Sequence, residues 1–191
     1  MTVNYSDDQN KRAAKIKLIL MDVDGVLTDG KLFYFPDSEG KMVEFKGFNS
    51  HDGLGLHLCS FVGIQTGVIS GRNSPSVEER ARMLKMKYVY QGHLHKVQSW
   101  EEILADAKLE PSEVAYIGDD FPDIPLLKRA GLAVAVANAR PEVKAVAHFV
   151  TENAGGEGAV RDAVELVLRA SGRWEQAVST YEVATAEVVG R

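Results

Sequence analysis

The stretch LILMDVDGVLTDG, Leu18–Gly30, decides the fold. Four apolar residues run into Asp22, Asp24 and Asp29, with Gly25 and Gly30 among them. A short apolar run ending in Asp and Gly reads as a buried strand, here 17–23, with carboxylates at its mouth. Such carboxylates are costly to desolvate unless something shares their charge. The rest of the chain is read for what could share it.

Downstream, KLFYF and KMVEFKGF are β-prone and are separated by PDSEG, so residues 31–47 read as a hairpin. An amphipathic helix over 50–61 puts Leu54, Leu58 and Phe61 on one face. IQTGVIS, 64–70, is a second core strand. A helix over 74–85 has Ser74 as its cap, Pro75 at its first position and Glu78 near its start. Strands at 87–90, 113–118, 132–137 and 148–151 alternate with helices at 96–108, 123–130 and 141–147. Val160, Ala163, Val164, Val167 and Leu168 recur at helical spacing within 157–170, and a last amphipathic segment covers 174–189. Strands alternating with helices imply right-handed crossovers: an α/β, Rossmann-like, mostly parallel sheet covered on both faces. Ligands of such sheets bind at the carboxyl ends of the strands.

A length of 191 residues predicts one domain, 16–172, with a polar, mobile N-terminal tail over 1–15 and a helical C-terminal tail over 173–191. The net charge of −5 argues against a nucleic-acid surface. A single cysteine, Cys59, rules out an intrachain disulfide and reads as a small buried hydrophobe in a reducing, cytoplasmic setting. No apolar run approaches the ~20 residues of a membrane span, and MTVNYSDDQNKRAAK lacks the apolar centre of a secretory signal.

The strand ends carry the chemistry. Asp22 and Asp24 follow the first strand, Ser70 ends VIS, Lys96 follows QGHLH, and GDDFPD brings Asp119, Asp120 and Asp123. Oxygen donors crowded on one rim repel one another unless a hard cation sits among them. Mg²⁺ suits such a set because it prefers carboxylates and accepts substrate phosphate as a ligand. Asp22 could then attack phosphorus and form an aspartyl phosphate. Asp24 could act as acid to the leaving oxygen and as base to water. Ser70, nearby N–H groups and Lys96 could hold phosphoryl oxygens.

These four sets, DVDGVLTDG, VISGR, Lys96 and GDDFPD, resemble in order and spacing the motifs of the haloacid dehalogenase superfamily of phosphohydrolases. The resemblance implies Asp22 as nucleophile, Asp24 as acid/base, and Ser70 with Lys96 as phosphate binders. It implies Mg²⁺ on Asp22, the Asp24 carbonyl and Asp119, with Asp120 and Asp123 behind them. Residues 25–69 leave 45 positions and 97–117 leave 21, too few for a cap domain at either place where this superfamily inserts one. An open site must admit a large substrate or be covered by another subunit.

FNSHDGLGL, YQGHLHK, VAYIGDDFPD, AGLAVAVANA and GGEGAVRDAVELVL are similar to the capless phosphatases of 3-deoxy-D-manno-octulosonate 8-phosphate, from about Lys15 to Arg173. That group implies homotetramers whose hairpins form a barrel-like assembly beside the neighbouring site, and a product used in lipopolysaccharide synthesis. Arg72, after Ser70-Gly71, fits the octulosonate group better than the nonulosonate 9-phosphate phosphatases, and suits a sugar-acid carboxylate. His51 departs from the arginine frequent in that group, and the segment after Gly172 is longer and less basic.

Other features have plainer readings. Asp29 caps its own turn. Asp52 is open between a helix-dipole role and substrate contact, and His51 between substrate contact and surface. His93 and His95 read as loop residues. Gly155, Gly156 and Gly158 form either an anion site or a helix-entry loop. Arg161 is open between the site, a subunit interface and solvent. The alternatives to a phosphatase are a mutase, which needs a cap; a receiver-like domain, which lacks an acid/base two residues past its aspartate; and an inactive domain, against which the intact motifs argue.

Overall fold

A computed structural model describes residues 5–93 and 95–189. The elements run α1 (Asp7–Ala13), β1 (Leu18–Met21), β2 (Phe33–Pro36), β3 (Met42–Phe45), α2 (Ser50–Phe61), β4 (Gln65–Ile69), α3 (Pro75–Met83), β5 (Tyr88–Tyr90) and α4 (Lys96–Ala107). They continue with β6 (Val114–Gly118), α5 (Ile124–Leu127), β7 (Leu132–Ala135), α6 (Pro141–Lys144), β8 (Phe149–Val150), α7 (Ala159–Ala170) and α8 (Trp174–Val189). Strand β1 lies inside a six-stranded parallel sheet of order β5-β4-β1-β6-β7-β8. All four of its residues, Leu18 to Met21, are fully buried because it has a strand on each side and helices over each face.

The order of strands fixes where the helices go. From β1 the chain steps outward to β4 and β5, then crosses back to β6, β7 and β8. Right-handed crossovers therefore put α2 and α3 on one face and α4, α5 and α6 on the other. Helices α1, α7 and α8 join the α2 side, with α2 packed on α7. The direction reverses between β1 and β6, which is where α/β sheets open a crevice at their carboxyl ends. Register puts the motif residues there: Met21 pairs with Val68 of β4 and with Ile117 of β6, so Asp22, Ser70 and Asp119 all fall within two positions of one rim.

Strands β2 and β3 form a separate antiparallel hairpin. Beyond it, the chain between Asp24 and Ser70 holds only α2 and β4, and that between Lys96 and Gly118 only α4, a short 3₁₀ turn and β6. There is no cap domain among the described residues.

One expectation is corrected. Residues 7–13, read as part of a mobile tail, form helix α1. Ser6 accepts from the Gln9 N–H at 3.2 Å while the Gln9 side chain accepts from Ser6 N–H at 2.9 Å, a reciprocal cap. Ala13 is fully buried, and Gln9 donates to the His148 carbonyl at 3.1 Å, so the helix is held to the body of the protein. Residues 1–4 of that tail lie outside the described residues. The C-terminal segment is helical as expected, with Ala177 buried and Trp174 and Tyr181 packed on the core.

Two loops close over the crevice by direct backbone contact. Gly25, at φ +87°, follows Asp24 and lies so near the Asp119 carboxylate that a Cβ would overlap it. A Cβ on Gly155 would overlap the Gly25 carbonyl. Asn138 links the two, donating to the Gly25 carbonyl at 3.3 Å and accepting from Gly155 N–H at 2.7 Å. Gly155→Ala is therefore expected to destabilise the fold by about 1–3 kcal/mol, the usual cost of overpacking, read as a lower denaturation midpoint at unchanged m-value.

Candidate active site

Asp22, Asp24, Ser70, Gly71, Arg72, Lys96, Asp119, Asp120 and Pro122 line one hollow of about 230 Å³ at the carboxyl end of the sheet. Residues from three βα loops and the start of α4 thus meet as the sequence reading expected.

Lys96 organises the floor. Its side chain is 3% exposed, and its Nζ lies 2.9 Å from Asp22 Oδ2 and 2.7 Å from Asp123 Oδ1. Asp123 is completely buried and carries four donors. Oδ1 accepts from Lys96 and from the Tyr116 hydroxyl at 2.8 Å. Oδ2 accepts from the backbone N–H groups of Asp119 at 3.0 Å and Asp120 at 3.3 Å. Asp123 therefore fixes the loop that carries Asp119 and is itself spoken for. Asp120 caps the following turn, accepting from Phe121 N–H at 2.8 Å.

Asp22 and Asp119 are the carboxyl groups left without a full set of partners among the described residues. Among the described residues, Oδ1 of Asp22 accepts only from its neighbour Val23 N–H, at 2.7 Å. Burial raises its pKa, and the charge of Asp123 adds to the shift against the pull of Lys96. Burial also pushes Asp119 up to about 8, helped by Asp123 and Asp22. Oδ1 of Asp119 is buried with no hydrogen-bond partner among the described residues. Oxygens of Asp22, Asp119 and Asp123 lie within 4.8 Å of one another. A buried, unpartnered carboxylate oxygen in such a set fits a hard divalent cation. For Lys96, burial acts to lower the pKa, but Asp22 and Asp123 outweigh it and keep the ammonium charged.

Ser70 leaves β4 at the rim, its Oγ accepting from Arg72 N–H at 3.2 Å. Arg72 reaches across to the hairpin, where its guanidinium pairs with Glu44, donates to Tyr34 Oη at 3.2 Å and lies 3.7 Å from Asp24. Lys46, just past β3, pairs with Asp24 and with Glu44 at 3.0 Å. Sequence reading passed over Lys46 and Glu44 because EFK reads only as strand; nothing local marks Asp24, 22 residues before Lys46, or Arg72, 28 residues after Glu44, as their partners.

The remaining expectations separate. Asp52, left open between a helix-dipole role and substrate contact, does not line the hollow. Its buried carboxylate accepts from Arg161 N–H at 2.8 Å, at the N-terminus of α7, so it joins α2 to α7 through the helix dipole. Asp29 accepts from Lys31 N–H at 2.9 Å, the turn cap expected. His51 is exposed beside a separate hollow with Asp29 and Phe48. His93 packs edge-on against Tyr90, and neither His93 nor His95 joins the carboxylate cluster. Arg161 pairs with Glu165 at 2.8 Å and lies over Trp174. The glycine loop at 155–158 is taken up by its contacts with Gly25 and with Asp29 N–H.

Comparison with known proteins agrees with this geometry. Residues 81–163 match the family model of haloacid dehalogenase-like hydrolases. The chain is 41% identical over 172 residues to the 3-deoxy-D-manno-octulosonate 8-phosphate phosphatase of Yersinia pestis, covering 90% of each chain. Its counterpart from Escherichia coli K12 is 38% identical over 172 residues, 90% of this chain and 89% of that one. A crystal structure of the Moraxella catarrhalis phosphatase of that name, in complex with magnesium, phosphate and KDO, is 37% identical and superimposes with a TM-score of 0.86 over 93% of this chain and 99% of the other. On these identities over most of both chains, the chain belongs to the haloacid dehalogenase-like hydrolases, in the family of 3-deoxy-D-manno-octulosonate 8-phosphate phosphatases.

Proposed function

We propose that the chain is a Mg²⁺-dependent phosphomonoesterase that hydrolyses 3-deoxy-D-manno-octulosonate 8-phosphate to the sugar acid and phosphate. The observation that carries this reading is the single hollow in which Asp22, Asp24, Ser70, Lys96 and Asp119 converge, in a chain 41% identical to a phosphatase of that substrate.

The roles follow from position. An oxygen of Asp22 attacks phosphorus, the bond from phosphorus to the sugar oxygen breaks, and Asp24 gives that oxygen its proton. Asp24 then takes a proton from the water that attacks the aspartyl phosphate, which frees phosphate and restores Asp22. Lys96 and Ser70 offset charge on the phosphoryl oxygens. Asp123 and Tyr116 hold Lys96 and the Asp119 loop in place. Asp22, the Asp24 carbonyl and Asp119 would hold Mg²⁺, which when bound supplies positive charge to the phosphoryl group. Arg72 lines the hollow with its side chain 45% exposed, where a substrate carboxylate can be met.

Assembly as a homotetramer is part of the proposal. Leu32, Phe33, Tyr34, Phe35, Met42, Val43 and Phe45 are all exposed on the hairpin. A two-stranded hairpin is marginal in water, and contiguous exposed apolar surface marks an interface. Packing of hairpins would also bring a neighbour over the open hollow. Among the described residues, no helix is long and apolar enough to cross a membrane. The Cys59 thiol, pushed up to about 12 by burial, is inert in any compartment.

Three outcomes are expected. Phosphate release with Mg²⁺ should favour 3-deoxy-D-manno-octulosonate 8-phosphate over a nonulosonate 9-phosphate by at least ~10-fold in kcat/KM, and Asp22→Asn or Asp24→Asn should each lower kcat by ~100-fold or more; the reverse preference would reassign the substrate. Sedimentation should give about four times the 20.9 kDa of one chain, and Phe35→Glu should reduce it. The third concerns pH. In the metal-free protein Asp119 keeps a proton to about pH 8, whereas the unfolded chain releases it near pH 4. The folded state thus loses stability as pH rises between those values. Asp119→Asn should remove that slope and exceed the metal-free wild type at pH 8 by roughly 2–4 °C or more in Tm. Mg²⁺ displaces the same proton, so it should raise the wild-type Tm more at pH 8 than at pH 6.

A further inference from the structure

We propose that Lys46 and Glu44, at the root of the hairpin, are positioning residues for the acid/base Asp24; the inference rests on the phosphatase reading above. Four side chains from three separate segments close a ring of alternating charge. Asp24 pairs with Lys46 through Oδ1, and Lys46 Nζ lies 3.0 Å from Glu44 Oε1. Oε2 of Glu44 binds the Arg72 guanidinium, and Arg72 Nε returns to within 3.7 Å of Asp24 Oδ2. Both oxygens of the acid/base are thus addressed from the hairpin side. Glu44 in turn holds both cations that address them.

Stability alone does not account for this arrangement. The Lys46 side chain is 1% exposed and Glu44 14%, on a hairpin whose apolar side chains face outward. Burying an ammonium forfeits its hydration, and well-packed apolar residues commonly serve a fold as well or better. No core surrounds the hairpin that would call for a charge at its root. What the ammonium does reach is Asp24, and a proton donor works only when aligned with the leaving oxygen.

The test separates alignment from folding. In kcat/KM, a sugar phosphate reports protonation of a poor alkoxide leaving group, whereas p-nitrophenyl phosphate leaves with little need of a proton. Lys46→Met in the full chain with Mg²⁺ should lower the ratio of sugar phosphate to aryl phosphate kcat/KM by at least ~10-fold. Glu44→Gln, which keeps the shape and leaves Lys46 in place, should lower it in the same direction by about threefold or more, and decides the matter if Lys46→Met does not fold. The double variant Glu44→Gln/Lys46→Met removes both buried charges and should regain Tm over Lys46→Met while the ratio stays low. An unchanged ratio in the single variants, or a ratio that recovers together with Tm in the double, overturns the proposal. A wild type that ignores the octulosonate phosphate would instead strike the substrate reading, and the ratio is then taken with whichever alkyl phosphate it hydrolyses.

Discussion

Three carboxylates, Asp22, Asp119 and Asp123, converge beside the ammonium of Lys96, which pairs with Asp22 and Asp123. Like charges about 4 Å apart repel by roughly 4 kcal/mol at an effective dielectric of 20, a large fraction of the roughly 5–15 kcal/mol that keeps a domain folded. The molecule divides the problem. Asp123, at the bottom, takes four hydrogen-bond donors and the nearer contact with Lys96, so its charge is settled within the protein. The deficit is left on Asp22 and Asp119, at the mouth, where burial and mutual repulsion push their protons to hold on longer. A site with its surplus of negative charge at the mouth is made to receive cations, and through them a phosphate.

Holding such a surplus requires a frame that does not relax. Fully buried β1, flanked by β4 and β6, supplies one side of it. The other is the contact of Gly25 with the Asp119 carboxylate and of Gly155 with the Gly25 carbonyl, secured by Asn138. Neither contact leaves room for a side chain. Asp52, 109 residues from its partner Arg161, anchors the start of α7 and so steadies the loop that carries Gly155. The residues that do chemistry are few; those that forbid them to move apart come from the whole length of the chain.

This division explains what could be read from sequence. Asp22, Asp24, Ser70 and Asp119 were legible because each lies just past a strand end, which hydrophobic runs mark locally, and Lys96 because it follows the loop after β5 at the start of α4. The parallel sense of the sheet was implied by the alternation of strands and helices. Helix α1 was not legible although Ser6 and Gln9 stand at capping-box spacing, because the first 15 residues are polar and the one face this short helix buries is small. Asp52 was left open because its role depends on α7 approaching α2, which no local pattern announces. Lys46 and Glu44 were invisible for the same reason: a lysine and a glutamate on a β-prone segment read as solvated edge residues until the fold turns the hairpin back onto Asp24.

The hairpin inverts the usual arrangement of a protein surface. Phe35 is 64% exposed and Phe45 50%, while Lys46, one position further on, has a side chain 1% exposed. Apolar side chains left in water call for a partner surface, and a buried ammonium calls for an anion. The first demand is met outside the chain, in the assembly we propose, and the second inside it, by Asp24 and Glu44. Glu44 belongs to β3 itself, paired opposite Tyr34, and Tyr34 also touches Arg72. A partner that grips the strands therefore restricts the same backbone from which Asp24 is held. With no cap domain among the described residues, the hairpin offers its apolar strands to a neighbour in the proposed assembly and, through Lys46 and Glu44, holds the carboxylate of Asp24.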